Sequence, residues 1–269
     1  MENRRGSVII LNGTSVGASE FNPDASKGIY YEVIRLINGQ FLFLDDHLER
    51  LKYSCSKAGL ACPEKEEILQ TLQLLVEKES IIDGNVKLVV FQQRERIHLG
   101  SFFVPHFFPS DVDYQTGVRV MTYAFERPDP TIKKWNENFR NNVGRFIREE
   151  NIYEAILLNE AGELTEGSRS NLFFTDPGNR IITAPEGMIL SGITRKYVLK
   201  ICDGEGIKII EKAVTKAEAA TMKGCFISGT SPMVLPVREL DELEFDPRNM
   251  VLNRIMAAYK KMIHTTGEV

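Results

Sequence analysis

The run GELTEGSRSNLFF, Gly162 to Phe174, places a carboxylate at Glu166 between two apolar segments, EAILL before it and NLFF after it. If both segments are strands with one face buried, an acid at their junction points either to water or inward. Pointing inward, an ionised Glu is costly to desolvate unless a cation meets it. Two other segments could hold an anion. Ser191-Gly192-Ile193-Thr194 precedes a predicted helix, so backbone N–H groups and a hydroxyl gather at its positive end, which suits a phosphate. Ser228-Gly229-Thr230-Ser231 follows a predicted strand and offers hydroxyls beside a glycine that permits close backbone approach. Taken alone, either has the composition of an ordinary cap. Arg50, in DDHLERL, stands off the apolar stripe of its predicted helix, the pattern of a solvated face residue. Lys133 and Lys134 follow a proline-rich stretch. A lysine drawn into a cleft and kept partly neutral is the residue type that forms Schiff bases.

A phosphate cradle, a lysine and an inward acid together match pyridoxal phosphate: the lysine takes the aldehyde, the cradle the phosphate, and the acid the protonated ring nitrogen. Composition allows this. The 269 residues are 43% hydrophobic and 26% charged, ordinary for a folded enzyme or binding protein. A net charge of −4 leaves no broad basic surface for nucleic acid or anionic lipid. Cys55, Cys62, Cys202 and Cys225 lack metal-ligand spacing and read as buried thiols of a reducing compartment, so no metal and a cytoplasmic location are expected. No apolar run is long enough for a signal-peptide core or a membrane span.

The elements that would position these groups alternate between hairpins and helices. Ile29–Ile37 and Gln40–Leu44 flank Asn38-Gly39, a strong hairpin signal. Helices are predicted from Asp45 to Gly59 and after Pro63, then strands over 87–91, 98–104 and 118–124. ERPDPT, with two prolines, reads as an extended connector. The expected fold class is therefore α/β (α+β) in two domains, 1–125 and 132–269, with 126–131 as the connector and the site in the cleft between them. In the second half, helices are predicted after Asn136, from Thr194 to about Cys202, and over the stretch holding Val251, Ile255 and Tyr259.

The blocks YYEVIRLINGQFLFLDDHLERL, KKWN, EAILLNEAGELTEGSRSNLFF, LSGITR and FISGTSPMVLPV, in that order over nearly the whole chain, resemble the fold-type IV pyridoxal-phosphate enzymes. That family includes branched-chain and D-amino-acid aminotransferases and aminodeoxychorismate lyase. The resemblance implies Lys133, three residues before Asn136, as the lysine that binds the cofactor and shuttles the proton. It implies Glu166 for the ring nitrogen, Arg50, Ile193, Thr194 and Thr230 for the phosphate with Gly192 and Gly229 in the same turns, and Leu190 for the ring face. Tyr31 and Ser231 match positions beside the substrate. It also implies a homodimer whose substrates are an amino acid and a 2-oxo acid.

Tyr31-Glu32-Val33 and His106 resemble the D-amino-acid enzymes, whereas Arg35 resembles the branched-chain ones. Val104 stands where D-amino-acid enzymes carry a carboxylate-binding arginine, and Glu137 replaces the tyrosine that follows the asparagine in branched-chain enzymes. The missing charge at Val104 tilts the expectation to branched-chain L-amino acids. The lyase, which would release pyruvate and 4-aminobenzoate, is the alternative, and a non-catalytic binding protein on this fold is the third.

Overall fold

The computed structural model describes residues 6–17, 19–24, 27–105 and 107–266. His106 lies outside the described residues. The chain divides into two compact units, one made of 1–107, 132–136 and 266–269, the other of 108–131 and 137–265.

The first unit is a sheet of six strands: β1 (Ile9–Leu11), β2 (Thr14–Val16), β3 (Ile29–Ile37), β4 (Gln40–Phe41), β5 (Gly84–Gln93) and β6 (Arg96–Val104), in the order β2-β1-β6-β5-β3-β4. Helices α1 (Leu44–Lys57) and α2 (Lys65–Glu79) join its two halves. Period-two alternation sorts the side chains. Tyr30, Ile34, Val86, Leu88 and Phe103 pack on Leu48 and Leu51 of α1 and Leu72 and Leu75 of α2. Tyr31, Val89, Phe102 and Val104 pack on the other face with Phe21 and Trp135. The β5–β6 turn is tighter than the sequence suggests. Gln93 pairs with Arg96, and Arg94 and Glu95 both take positive φ (49° and 62°), which closes a two-residue hairpin.

Residues 132–136 return to this unit, although they were expected to open the second domain. Tyr31 N–H donates to the Lys133 carbonyl at 3.2 Å and Trp135 N–H to that of Ile29 at 2.8 Å, so the segment pairs alongside β3. The boundary also moves from 125 to 107. The strand over 118–124 belongs to the second unit because it pairs in parallel with two strands there.

That second unit holds α3 (Asp111–Thr116), β7 (Val118–Ala124), α4 (Glu137–Glu149), β8 (Glu154–Leu158), β9 (Glu163–Gly167), β10 (Asn171–Thr175), β11 (Ile181–Thr183), α5 (Ile193–Gly204) and β12 (Ile209–Glu211). It ends with β13 (Val214–Thr215), α6 (Lys216–Ala219), β14 (Gly224–Gly229), β15 (Met233–Leu240), β16 (Leu243–Glu244) and α7 (Met250–Thr266). Strands β10-β14-β15-β7-β8-β9 follow one another, and β9 then meets β10 through the pair Asn171 and Glu166, closing the sheet on itself. After Glu154 the strand β8 is apolar because both of its faces are covered: Ala155 and Leu157 meet Phe139 and Val143 of α4, while Ile156 joins Leu172, Ile227 and Leu235 in the larger core. Among the described residues no helix is long and apolar enough to cross a membrane.

Candidate active site

In the second unit, Glu166 is 2% exposed and does point inward. The cation it meets is Arg127, whose Nε donates to Oε1 at 2.8 Å. Arg127 also reaches the Ser168 carbonyl, and its guanidinium lies 5.4 Å from the centre of the Phe139 ring. The sequence reading missed Arg127; the available signal was an arginine in the proline-rich stretch with no assigned role. The other oxygen of Glu166, Oε2, accepts the Leu190 N–H at 3.0 Å.

Asn171, across the closing bridge from Glu166, donates its Nδ2 to the Leu190 carbonyl at 2.8 Å. Two side chains on neighbouring strands thus clamp both polar groups of one residue, two positions before the Gly192 N-cap of α5. Gly192 is required at that cap: a Cβ there would stand 2.0 Å from Asn171 Oδ1. Having no side chain, it also makes no side-chain cap to the first amides of α5, where Ile193 and Thr194 begin the helix. The buried Thr194 hydroxyl is hydrogen-bonded to Tyr259 of α7, whose phenol burial pushes up to about 12. Thr230 and Ser231 form the β14–β15 turn with Pro232, half-buried, between the paired residues Gly229 and Met233. A Cβ on Gly229 would come within 3.2 Å of the Arg169 carbonyl. Glu137 opens α4 and is exposed, so it faces solvent where a tyrosine was expected by resemblance.

The chain between Glu166 and β10 is itself fixed by a buried acid. Glu154 accepts from the hydroxyls of Ser168 (2.7 Å) and Ser170 (3.1 Å) and from the Arg169 N–H (3.1 Å).

The first unit carries the lysines. Lys133 is half-buried, its Nζ 5.0 Å from the centre of the Tyr31 ring, whereas Lys134 is exposed. The Lys133 N–H donates to Ser54 Oγ of α1 at 3.3 Å. Arg50 is not a solvated face residue. Its Nε and Nη2 fork onto the fully buried Glu32 at 2.8 and 2.6 Å, and Glu32 Oε2 also lies 2.8 Å from His47 Nδ1. Burial alone would raise the Glu32 pKa, but the charge and hydrogen bonds of Arg50, helped by His47, hold it well below the usual carboxylate range. Burial lowers the pKa of His47; Glu32 opposes this, and the charges of Arg50 and Lys133 add to it. Arg35 lies on β3, two residues along the same face from Val33.

A family model described as amino-transferase class IV matches residues 30–240. The chain belongs to that family. It is 32% identical to a D-alanine aminotransferase of Bacillus licheniformis, over 87% of this chain and 88% of that one. It is 26% identical to a branched-chain-amino-acid aminotransferase of Pseudomonas aeruginosa, over 82% and 78% of the two chains. The solved PLP-bound form of a hypothetical aminotransferase from Mycobacterium tuberculosis shares the fold, with a TM-score of 0.78 at 15% identity, covering 94% of this chain and 99% of that one. The protein is thus a pyridoxal-phosphate-dependent aminotransferase. The residues of this class IV amino-transferase fit the cofactor: the N-terminus of α5, capped by a glycine, suits the phosphate, and Glu166 suits a cationic ring nitrogen.

Replacing Gly192 with Ala is expected to push the Asn171 amide off the Leu190 carbonyl. The variant should lose about 1–3 kcal/mol of stability in urea denaturation, the cost of leaving a buried polar group unsatisfied.

Acid is expected to weaken the fold in two stages. Both Glu32 and His47 hold protons less readily when folded, so the unfolded chain binds more protons and stability falls with falling pH. Loss begins below the ordinary His value of 6.5 as unfolded His47 charges, and deepens below 4.5 as unfolded Glu32 protonates. Urea midpoints between pH 8 and pH 4 should show both stages, and His47→Gln should remove the first.

Proposed function

We propose that Lys133 is the lysine that binds pyridoxal phosphate and carries the proton. The observation that carries this reading is its half-buried amine beside Tyr31, in contrast to the exposed Lys134. Bound pyridoxal phosphate supplies an electron sink for the pair left when the substrate α-proton is removed. Lys133 Nζ takes that proton and returns it on the far side of the exchange. Glu166 keeps a negative charge at the ring nitrogen, and Arg127 fixes its carboxylate in place. The first amides of α5, Thr194, Thr230 with Gly229, and Arg50 hold the phosphate, and Leu190 packs on the ring. Tyr31, Arg35 and Ser231 bind the substrate. A homodimer, as the family resemblance implies, and a reducing cytoplasm, which the four free thiols suit, complete the reading.

For the amino donor we propose a D-amino acid such as D-alanine, with pyruvate or another 2-oxo acid as acceptor. The support is the 32% identity to a D-alanine aminotransferase over most of both chains. Branched-chain L-amino acids are the second reading, favoured by the apolar Val104. Single-turnover conversion of the bound cofactor should be faster with D-alanine and D-glutamate than with L-leucine and L-valine. Some activity on the losing set is expected, because an apolar pocket separates side chains by only about 1–3 kcal/mol per methylene. L-leucine reacting first would restore the branched-chain reading.

Glu166→Gln keeps the size and removes the charge. Single-turnover rates at saturating cofactor should fall by about 10² to 10⁴, the effect of breaking one partner of a buried ion pair. Glu160→Gln, at an exposed position, and Glu163→Gln, whose partner is the nearby Asn159, should stay within about threefold, as a surface acid contributes at most about 1 kcal/mol.

A further inference from the structure

The C-terminal turn of α1 brings two thiols together. Cys55 is fully buried in the core of the first unit, and Cys62 packs against the same core while remaining half-buried. The chain turns back between them because Gly59 takes a positive φ of 68° and the Leu60 N–H donates to the Cys55 carbonyl at 2.9 Å, the closing bond of a Schellman turn. The two thiols are hydrogen-bonded to each other. Cys62 also lines a cavity of about 420 Å³ with Lys52, Glu64 and Lys65, ample for a molecule the size of hydrogen peroxide. All four cysteines were expected to be buried; Cys62 is the one that is not.

We propose that Cys55 and Cys62 are a peroxide-sensitive pair that closes to a reversible disulfide, with Cys62 reacting first. The Cys62 thiolate attacks one oxygen of hydrogen peroxide; the O–O bond breaks, hydroxide leaves, and the sulfur becomes a sulfenic acid. The Cys55 sulfur then attacks the Cys62 sulfur, the S–O bond breaks, and the hydroxide leaves with the Cys55 proton as water. The two sulfurs together give up two electrons, and the peroxide takes them. A dithiol reductant reverses the bond by exchange. The thiol–thiol hydrogen bond favours this order of events. With burial, it raises the pKa of Cys55, so the proton stays there, and it lowers that of Cys62; Lys52 adds to the lowering, while burial and Glu64 oppose it. Cys202 and Cys225 are buried thiols that burial pushes up, the first to about 12 and the second well above the ordinary value, so they stay protonated and inert. The bridge would tie down the end of the helix whose Ser54 accepts the Lys133 N–H and whose Arg50 grips Glu32.

The test treats reduced holoenzyme with hydrogen peroxide, counts free thiols after denaturation, and maps tryptic peptides by mass spectrometry without reduction. The parent should lose two of its four thiols, and cleavage after Lys52, Lys57 and Lys65 should release peptides 53–57 and 58–65 joined by a disulfide. Dithiothreitol should restore both thiols. Cys62→Ser should keep its remaining thiols under the same treatment. Cys55→Ala should stop at the first step, with Cys62 trapped as its dimedone adduct; should this core variant fold poorly, Cys55→Val carries the same comparison. The parent experiment needs no substitution, so the proposal is open to refutation even if neither variant folds. A parent that keeps all four thiols would overturn the proposal. So would a bridge that joins any other pair, or a Cys62 that gains the dimedone label in the parent while Cys55 stays free.

Discussion

The clamp on Leu190 organises the candidate groups of the second unit. Its N–H is taken by Glu166 and its carbonyl by Asn171, and those two residues are also the pair through which the sheet closes. One junction therefore does three things: it ends the strand sequence, aims a carboxylate, and sets where α5 begins. A carboxylate tied on one side to a guanidinium and on the other to a backbone amide has little freedom to rotate, which is the condition for a fixed charge to act on a ring nitrogen. Gly192 follows from the same junction, since Asn171 occupies the space that a Cβ would need.

Buried acids recur through the structure, and each is matched in its own way. Glu166 has Arg127 and an amide; Glu32 has a forked arginine and an imidazole; Glu154 has two hydroxyls and backbone amides. The pattern agrees with the high cost of a charge left alone in the interior. It also separates roles. Glu154 uses its acceptors on the Gly167–Ser170 turn and shapes the chain, whereas Glu166 keeps its place at the end of β9, next to the helix start that suits an anion.

Much of the architecture could be read from local signals. Asn38-Gly39 marked its hairpin, the apolar stripes of α1 and α2 marked their packing, and Gly-containing turns stood out before α5 and at the end of β14. What escaped was non-local. Arg127 and Glu166 are far apart in sequence and neither spacing nor periodicity joins them; only closure of the sheet does. Residues 132–136 read as part of the second domain because the prolines before them suggest a boundary, while the hydrogen bonds that bind them to β3 come from a strand a hundred residues earlier. Arg50 looked solvated because its partner, Glu32, sits on the helix-facing side of a strand, a position normally apolar.

The return of 132–136 to β3 has a consequence for the lysine pair. In extended backbone, successive side chains point to opposite sides. Pairing with β3 therefore separates Lys133 from Lys134: Lys133 lies beside Tyr31, and Lys134 pairs with Tyr30 and stays exposed. Trp135, two residues on, falls on the side of Lys133 and covers Lys87. A one-residue slip in this pairing would exchange the two lysines and remove the tryptophan from the sheet face at once. The register is held by two backbone hydrogen bonds to β3 and by the contact of the Lys133 amide with Ser54, so α1 helps to decide which of two adjacent lysines stands beside Tyr31.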